Sequence, residues 1–267
     1  MNNRPKLVTV KQASPTARIG VSTRKGTSAG KSVNEDAFFI APIAGDKMWL
    51  LAIADGVTGS PHGWWASNKC VELIWRTLPK YEQKLLSPDT AKSEDKIMQQ
   101  WLNEIHETFR TERRDEPKEK YKEATSTLTF AVVRESNFFW AHCGDSRLYA
   151  LSPYGELTSA FPLDDQKSKS GEGRTSLSNH IGAPPKDWKG ISGSDTIPPD
   201  GLLILCSDGV VSGNEGFQKI NILKTIRDRT ENLQKGVEEI TKKLAELGET
   251  GGETDDLTLI AFQPVNK

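Results

Sequence analysis

Short apolar runs separated by turn residues recur along the chain and predict β-strands. The strands predicted in this way are Leu7–Val10, Ala37–Ala41, Met48–Ala54, Ser126–Arg134, Asn137–Leu151, Leu202–Cys206 and Leu257–Phe262. The turn residues in "PIAGDK" and in "ES" each separate two neighbouring runs. Those neighbours are therefore expected to form antiparallel hairpins.

Three other segments place apolar residues at the spacing of an amphipathic helix. They are Gly63–Leu78, Ile97–Arg114 and Ile220–Leu247, the last of them interrupted around "DRTENLQKG". Hairpins together with helices in blocks predict an α+β fold, with antiparallel sheets and the helices outside them. The segment 153–199 has little periodicity and is too long for an ordinary connection, so a functional flap or a disordered segment is expected there.

Composition and charge narrow the classes of function. The 267 residues suffice for one large domain, and no convincing boundary divides them, so residues 1–267 are taken as a single domain. The formal net charge is −1 and no basic stripe is present, which argues against nucleic acid as a partner. No apolar stretch is long enough to span a membrane, no secretory signal is visible, and the three cysteines form no close-spaced pair. A cytoplasmic location is therefore expected.

Acidic residues stand at the ends of predicted strands in four places, and in a fifth place an acid interrupts the predicted strand Asn137–Leu151. These places are Asn34-Glu35-Asp36, Asp55-Gly56, Gly144-Asp145, Asp208-Gly209 and Asp255-Asp256. Carboxylates that are brought together repel each other and lose hydration unless a cation joins them. Oxygen ligands without a His or Cys cluster suit Mg²⁺ or Mn²⁺ better than zinc. The pattern predicts a carboxylate metal site, where the absence of a Cβ at Gly56 would let its carbonyl approach an ion.

A larger ordered set of segments surrounds these acids. It consists of "GKSVNEDAFFI", "LLAIADGVTGSPHGWWAS", "ATSTLTFAVV", "FFWAHCGDSRLYAL", "LTSAFPLDD" before "LSNHIGAP", "LLILCSDGVVS" and "TDDLTLIAF". This set resembles that of the metal-dependent protein serine/threonine phosphatases of type 2C. The resemblance implies a four-layer α-β-β-α sandwich, two antiparallel sheets flanked by helices. It also implies a catalytic core over about 16–264, a variable flap over about 153–199, and a site at one end of the sandwich.

The resemblance also implies a role for each acidic residue. The implied metal ligands are the carbonyl of Gly56 and the carboxylates of Asp55, Asp145, Asp208 and Asp255. Residues expected to hold metal-bound waters or to hydrogen-bond the ligands are Glu35, Asp36 and Asp256. The bridging ligand of two Mn²⁺ or Mg²⁺ ions would be Asp55, which forms the catalytic set with Asp208 and Asp255. A weaker third ion would be shared by Asp145 and Asp208. The first acid of "DDLT", Asp255, is taken as the ligand rather than Asp256.

The activity that the resemblance implies is hydrolysis of phosphoserine and phosphothreonine in proteins by a water that bridges two divalent ions. The partner would then be a phosphorylated protein, the product of a serine/threonine kinase. An alternative from another class is a catalytically silent module that binds a phosphoprotein or regulates a kinase. A metal-dependent nuclease is disfavoured by the lack of a basic stripe.

The chain departs from the family pattern at a few positions. Lys31 stands where an arginine usually grips the substrate phosphate, and we expect it to make that contact as a point charge. Val57 and Thr58 depart from the usual residues after Asp-Gly, and Val57 cannot donate a proton as a histidine there could. His62 is more simply explained as a loop histidine with a local hydrogen bond, so the proton donor to the leaving group stays unassigned.

Two adjacent tryptophans, Trp64 and Trp65, begin the first predicted helix beside the expected site. Core packing of at least one of them is favoured over contact with substrate, because an indole is a large apolar group.

Overall fold

The computed structural model describes residues 13–14, 16–27, 32–57, 59–86, 94–154, 156–161, 167–169, 175–177, 179–184, 186, 188–211, 226, 232–251 and 255–265. The predicted strand Leu7–Val10 lies outside these residues, as do Lys31, Thr58 and most of the first half of the predicted helical segment 220–247.

The described strands are numbered in chain order. They are β1 Ala13–Ser14, β2 Ala17–Arg24, β3 Asp36–Ile43, β4 Met48–Asp55, β5 Leu128–Arg134, β6 Asn137–Cys143, β7 Arg147–Leu151, β8 Leu157–Phe161, β9 Lys167–Lys169, β10 Thr175–Leu177, β11 Ile191–Thr196, β12 Leu202–Cys206 and β13 Leu257–Pro264. The described α-helices are α1 Gly63–Leu86, α2 Glu94–Asp115, α3 Asp208–Val211 and α4 Leu233–Gly251, and a 3-10 turn covers Glu119–Tyr121.

Two antiparallel sheets form the centre of the fold. One has six strands in the order β1-β2-β13-β12-β7-β8, and the other has five in the order β11-β6-β5-β4-β3. The strands β9 and β10 pair only with each other. As predicted, the hairpins β3–β4 and β5–β6 are antiparallel neighbours.

Three apolar cores separate four layers. One core lies between the two sheets and includes Leu51 and Leu205. A second joins α1 and α2 to the outer face of the five-stranded sheet, and a third joins α4 to the outer face of the six-stranded sheet. The predicted α-β-β-α sandwich is therefore confirmed. Every residue of β4 is buried, because a sheet covers one of its faces and helices cover the other.

One prediction about strands was wrong. The run Asn137–Leu151 is not continuous: β6 belongs to one sheet and β7 to the other, with the crossing at Gly144. Gly144 has a φ of +118°, and a Cβ there would lie 2.6 Å from the Thr127 side chain, so only glycine fits this crossing. The segment 153–199, in which the sequence showed little pattern, supplies β8 and β11 as edge strands of the two main sheets.

The helix predictions located the elements but not all of their ends. The helix α1 continues through Pro79 to Leu86, beyond the predicted end at Leu78, and α2 covers the predicted Ile97–Arg114 with a few added residues. None of the described helices is both long enough and apolar enough to cross a membrane.

Candidate active site

The acidic residues meet at one end of the sandwich because of the antiparallel order of the strands. Asp55 ends β4 and Asp36 begins β3, and these two residues are direct partners across the sheet. Asp208 follows the end of β12, and Asp255 precedes the start of β13, its antiparallel neighbour. Asp145 stands where the chain crosses between the sheets. Each sheet therefore delivers acids to the same end.

The backbone of Asp55 is held from the neighbouring segment 126–127. The Asp55 N–H donates to Thr127 Oγ1 at 3.0 Å, and its carbonyl accepts from the Thr127 N–H at 2.7 Å and the Ser126 hydroxyl at 2.8 Å. Ser126 also bridges Gly56 on one side and Ile181 on the other. This short extension of the sheet fixes the position from which the Asp55 carboxylate projects.

A hydrogen bond joins the two sheets beside Asp55. The Ser207 hydroxyl, at the end of β12, donates to Asp36 Oδ2 at 2.9 Å. The same hydroxyl accepts the Thr258 N–H at 2.9 Å, so its orientation is fixed by β13. Ser207 is completely buried, and the contact spans the interior between the sheets.

Burial and the charges of neighbouring acids both act on Asp55 and Asp36. Burial raises the pKa of Asp55 well above its usual range, and the charges of Asp36, Asp208, Asp255 and Asp145, in that order, raise it further. Burial is also the largest reason that the pKa of Asp36 rises to about 7; hydrogen bonds from Thr258 and Ser207 oppose the rise and the charge of Asp256 adds to it. Such clusters of buried carboxylates are costly without a compensating cation.

The adjacent acids Asp255 and Asp256 have different surroundings. Asp256 is buried, and its two oxygens accept the N–H groups of Gly26 and Glu35, each at 2.7 Å. Asp255 is half-buried, its Oδ1 accepts the Asp256 N–H at 2.8 Å, and its charge acts on Asp55. Asp256 thus holds the backbone of the loop at Gly26 and at Glu35, whereas Asp255 acts on Asp55 through its charge.

The glycines that follow Asp55 and Asp208 permit close backbone contacts. A Cβ on Gly56 would lie 2.3 to 2.5 Å from backbone atoms of Gly63, the first residue of α1. A Cβ on Gly209 would lie 2.1 Å from the carbonyl oxygen of Asp256. Both Asp-Gly pairs therefore have a packing reason for glycine, in addition to the access to an ion that the sequence suggested for Gly56.

The donor set suits a hard divalent cation. All the converging side chains are carboxylates, and Asp36 Oδ1 is buried with no hydrogen-bond partner among the described residues. Within the same residues, no three His, Cys, Asp or Glu side chains form a closed group around a single ion. A set that includes the Gly56 carbonyl and water molecules would satisfy this chemistry without such a group.

Other residues named from the sequence fall near this end. Glu35 accepts the Trp64 N–H at 3.4 Å, which places it at the start of α1. The His62 ring packs edge-on against Tyr121 at a centroid distance of 5.2 Å. The Trp65 ring stacks on Tyr121 and also packs beside Phe109, which confirms the predicted packing of one of the two tryptophans.

The sequence did not point to the polar residues that support the acids. They are Ser126, Thr127 and Ser207, together with His142, which is buried between Thr129 and the carbonyl of Gly144. The only available signal was position, since each lies within or beside an apolar run that ends at the site. Their partners come from other strands, and no spacing along the chain reveals them.

The chain is similar to several known proteins. Residues 25–247 match the family described as Protein phosphatase 2C. The crystal structure of the Mycobacterium tuberculosis serine/threonine phosphatase PstP/Ppp superposes with a TM-score of 0.69 at 16% identity, covering 93% of this chain and 98% of that chain. A PstP catalytic domain in complex with two manganese ions gives a TM-score of 0.68 at 18% identity, covering 94% and 99%. PppA, described as a key regulatory component of T6SS in Pseudomonas aeruginosa, gives 0.66 at 20% identity, covering 93% and 98%. No curated protein sequence matches this one.

Proposed function

This chain belongs to the protein phosphatase 2C family and is a protein serine/threonine phosphatase, and we propose that it hydrolyses phosphoserine and phosphothreonine with a water held between two divalent ions. The observation that supports this mechanism is the convergence of buried carboxylates from both sheets on one end of the sandwich. Buried carboxylates this close together repel each other and lose hydration, and bound cations would offset both costs.

The proposed cofactors are Mn²⁺ or Mg²⁺. When bound, two such ions supply a water of lowered pKa and neutralise charge on the phosphoryl oxygens. The similar PstP domain was solved with two manganese ions, which supports the choice. The residues proposed to hold the ions are Asp55, Gly56, Asp208 and Asp255, with Asp145 for a weaker third ion.

The chain's own residues orient these ligands. Thr127 and Ser126 fix the backbone of Asp55, so its carboxylate enters the site from a rigid support. The hydrogen bond between Ser207 and Asp36 fixes the position of one sheet relative to the other beside Asp55. Lys31 is proposed to bind the substrate phosphate through its ammonium group.

The substrates, the domain organisation and the location are part of the same proposal. The substrates would be proteins phosphorylated by a serine/threonine kinase, and residues 1–267 would act as a single catalytic domain. All three cysteines are buried and free, as is usual in the reducing cytoplasm, which is the location we propose. Because none of the expected acids is missing, no observation favours the catalytically silent alternative.

The test measures phosphate released from phosphothreonine peptides by the purified protein, with and without Mn²⁺. We expect turnover only with the metal, and loss of turnover by at least a hundredfold in Asp55→Asn and Asp208→Asn. Mn²⁺ should also raise the melting temperature of the wild type but not of Asp55→Asn. Asp115→Asn, an exposed change at the end of α2, serves as the control. Folded protein that releases no phosphate from any peptide with Mn²⁺ would refute the proposal.

A further inference from the structure

A cluster of aromatic rings, exposed at Trp64, adjoins the acidic site. It consists of the rings of His62, Trp64 and Tyr121, and we call it the aromatic rim. The Trp64 ring meets the Tyr121 ring at 89° with centroids 6.2 Å apart, and the His62 ring meets it at 79° and 5.2 Å. Trp65 stacks on Tyr121 at 5.1 Å with nearly parallel planes, so Tyr121 is held firmly in place.

The rim is apolar and accessible at its outer part. Trp64 is 37% exposed, whereas Tyr121 beneath it is buried. An indole that stays partly exposed beside a site offers a large, rigid apolar face for contact with a ligand. The packing of Trp65 accounts for one tryptophan of the pair, and the exposed face of Trp64 is left for another role.

The rim lies close to the acids, at a distance that one or two residues of an extended peptide could span. The Gly63 backbone packs directly on Gly56, so the Cα atom of Trp64 is within about 8 Å of that of Gly56. The Trp64 N–H also donates to the Glu35 carboxylate. A phosphorylated residue in the site lies one side-chain length from its own backbone, and each neighbouring residue extends about 3.3–3.6 Å further. A substrate backbone that runs along this side of the site therefore comes within reach of Trp64.

We propose that the aromatic rim, through Trp64, binds a large apolar side chain that flanks the phosphorylated residue of the substrate protein. This inference rests on the proposed phosphatase function and adds a sequence preference to it. An apolar group is favoured over a cation, because the Lys118 ammonium lies 5.5 Å over the Tyr121 ring and would repel a second positive charge. Phe, Leu and Met have the size and chemistry for contact with an indole face.

The experiment compares phosphothreonine peptides that differ at one flanking position. Each peptide carries Leu, Phe, Gly or Arg at one of four positions, the two residues before and the two residues after the phosphothreonine. The value of kcat/KM is measured for each peptide with Mn²⁺. We expect an apolar residue at one of these positions to raise kcat/KM about tenfold over Gly. In Trp64→Ala that ratio should fall toward one, and Trp64→Phe should restore most of it.

Trp75→Ala is the matched control. Trp75 is on the same helix and is 61% exposed, but it lies three turns further from the site, so its removal should leave the ratio unchanged. Equal turnover of all peptides, or a preference that survives in Trp64→Ala, would overturn the subsite alone. A larger gain with Arg than with Leu or Phe would overturn its apolar character. If no peptide is turned over, the phosphatase proposal fails and this inference fails with it.

Discussion

Two adjacent acids, Asp255 and Asp256, should differ in what they lose when each is exchanged for asparagine. Asp256→Asn should lose stability, and Asp255→Asn should lose metal binding. Asparagine at 256 should lower the free energy of unfolding by about 2–4 kcal/mol, because hydrogen bonds to a charged group contribute about 1.5–3 kcal/mol each. The Asp256 carboxylate accepts two backbone N–H groups in a buried position, and asparagine retains only one acceptor oxygen. Its amide NH₂ would then face the remaining N–H donor.

Asparagine at 255 keeps the hydrogen bond from the Asp256 N–H, because its side-chain carbonyl can still accept it. It also removes one of the charges that raise the pKa of Asp55. The free energy of unfolding without metal should therefore stay within about 1 kcal/mol of the wild type or increase. The loss at this position should appear in metal binding instead.

Urea unfolding in the presence of EDTA measures stability, and the rise in melting temperature on adding Mn²⁺ measures metal binding. Asp256→Asn should be unstable but still respond to Mn²⁺ at temperatures where it is folded, whereas Asp255→Asn should be stable and respond weakly. The reasoning is refuted if Asp256→Asn is as stable as the wild type, or if Asp255→Asn responds fully to Mn²⁺.

Two further predictions concern packing and pH. Gly56→Ala should lower the free energy of unfolding in urea by about 2–4 kcal/mol, because the added methyl would meet the Gly63 backbone. Gly45→Ala is the comparison: no atom lies within 4 Å of the added methyl, and only the positive φ opposes it. It should lower the free energy of unfolding by about 1–2 kcal/mol. Burial lowers the pKa of His142 from 6.5 to about 4, so the unfolded chain binds the proton first as the pH falls. Its contribution of about 3 kcal/mol is complete above pH 6.5 and is lost as the pH falls toward 4. In His142→Asn the free energy of unfolding should vary less with pH over this window, and an unchanged slope would contradict the assignment.

The sequence predicted the acids of the site because each one directly flanks an apolar run. Asp55 and Asp208 follow strands that are buried on both faces, and such strands appear in the sequence as continuous apolar segments. Their meeting point could not be predicted from those runs alone. It depends on which strands are neighbours and on how the two sheets stack, and here the family resemblance supplied the information.

Several strands escaped prediction, and two of them, β2 and β11, show the physical reasons. β2 alternates between apolar and polar residues, but Gly20 and several hydroxyl side chains weaken its signal; the glycine is required because a Cβ would lie 2.5 Å from the carbonyl of Leu233 in α4. β11 is a polar edge strand whose Gly193 packs against the Trp140 ring. In both strands the residue that interrupts the pattern is required by a neighbour that is distant in sequence.

The hydrogen bond between Ser207 and Asp36 ties one sheet to the other at the site. The arrangement of the acids therefore depends on how the two sheets are placed relative to each other. Asp36 and Asp55 move with one sheet, whereas Asp208 and Asp255 move with the other. Any sliding of one sheet over the other therefore changes the separation of the acids directly. An ion bound by acids of both sheets would act as a mechanical clamp on the sandwich, and a force that shears the sheets would have to extract the metal before it could unfold the protein.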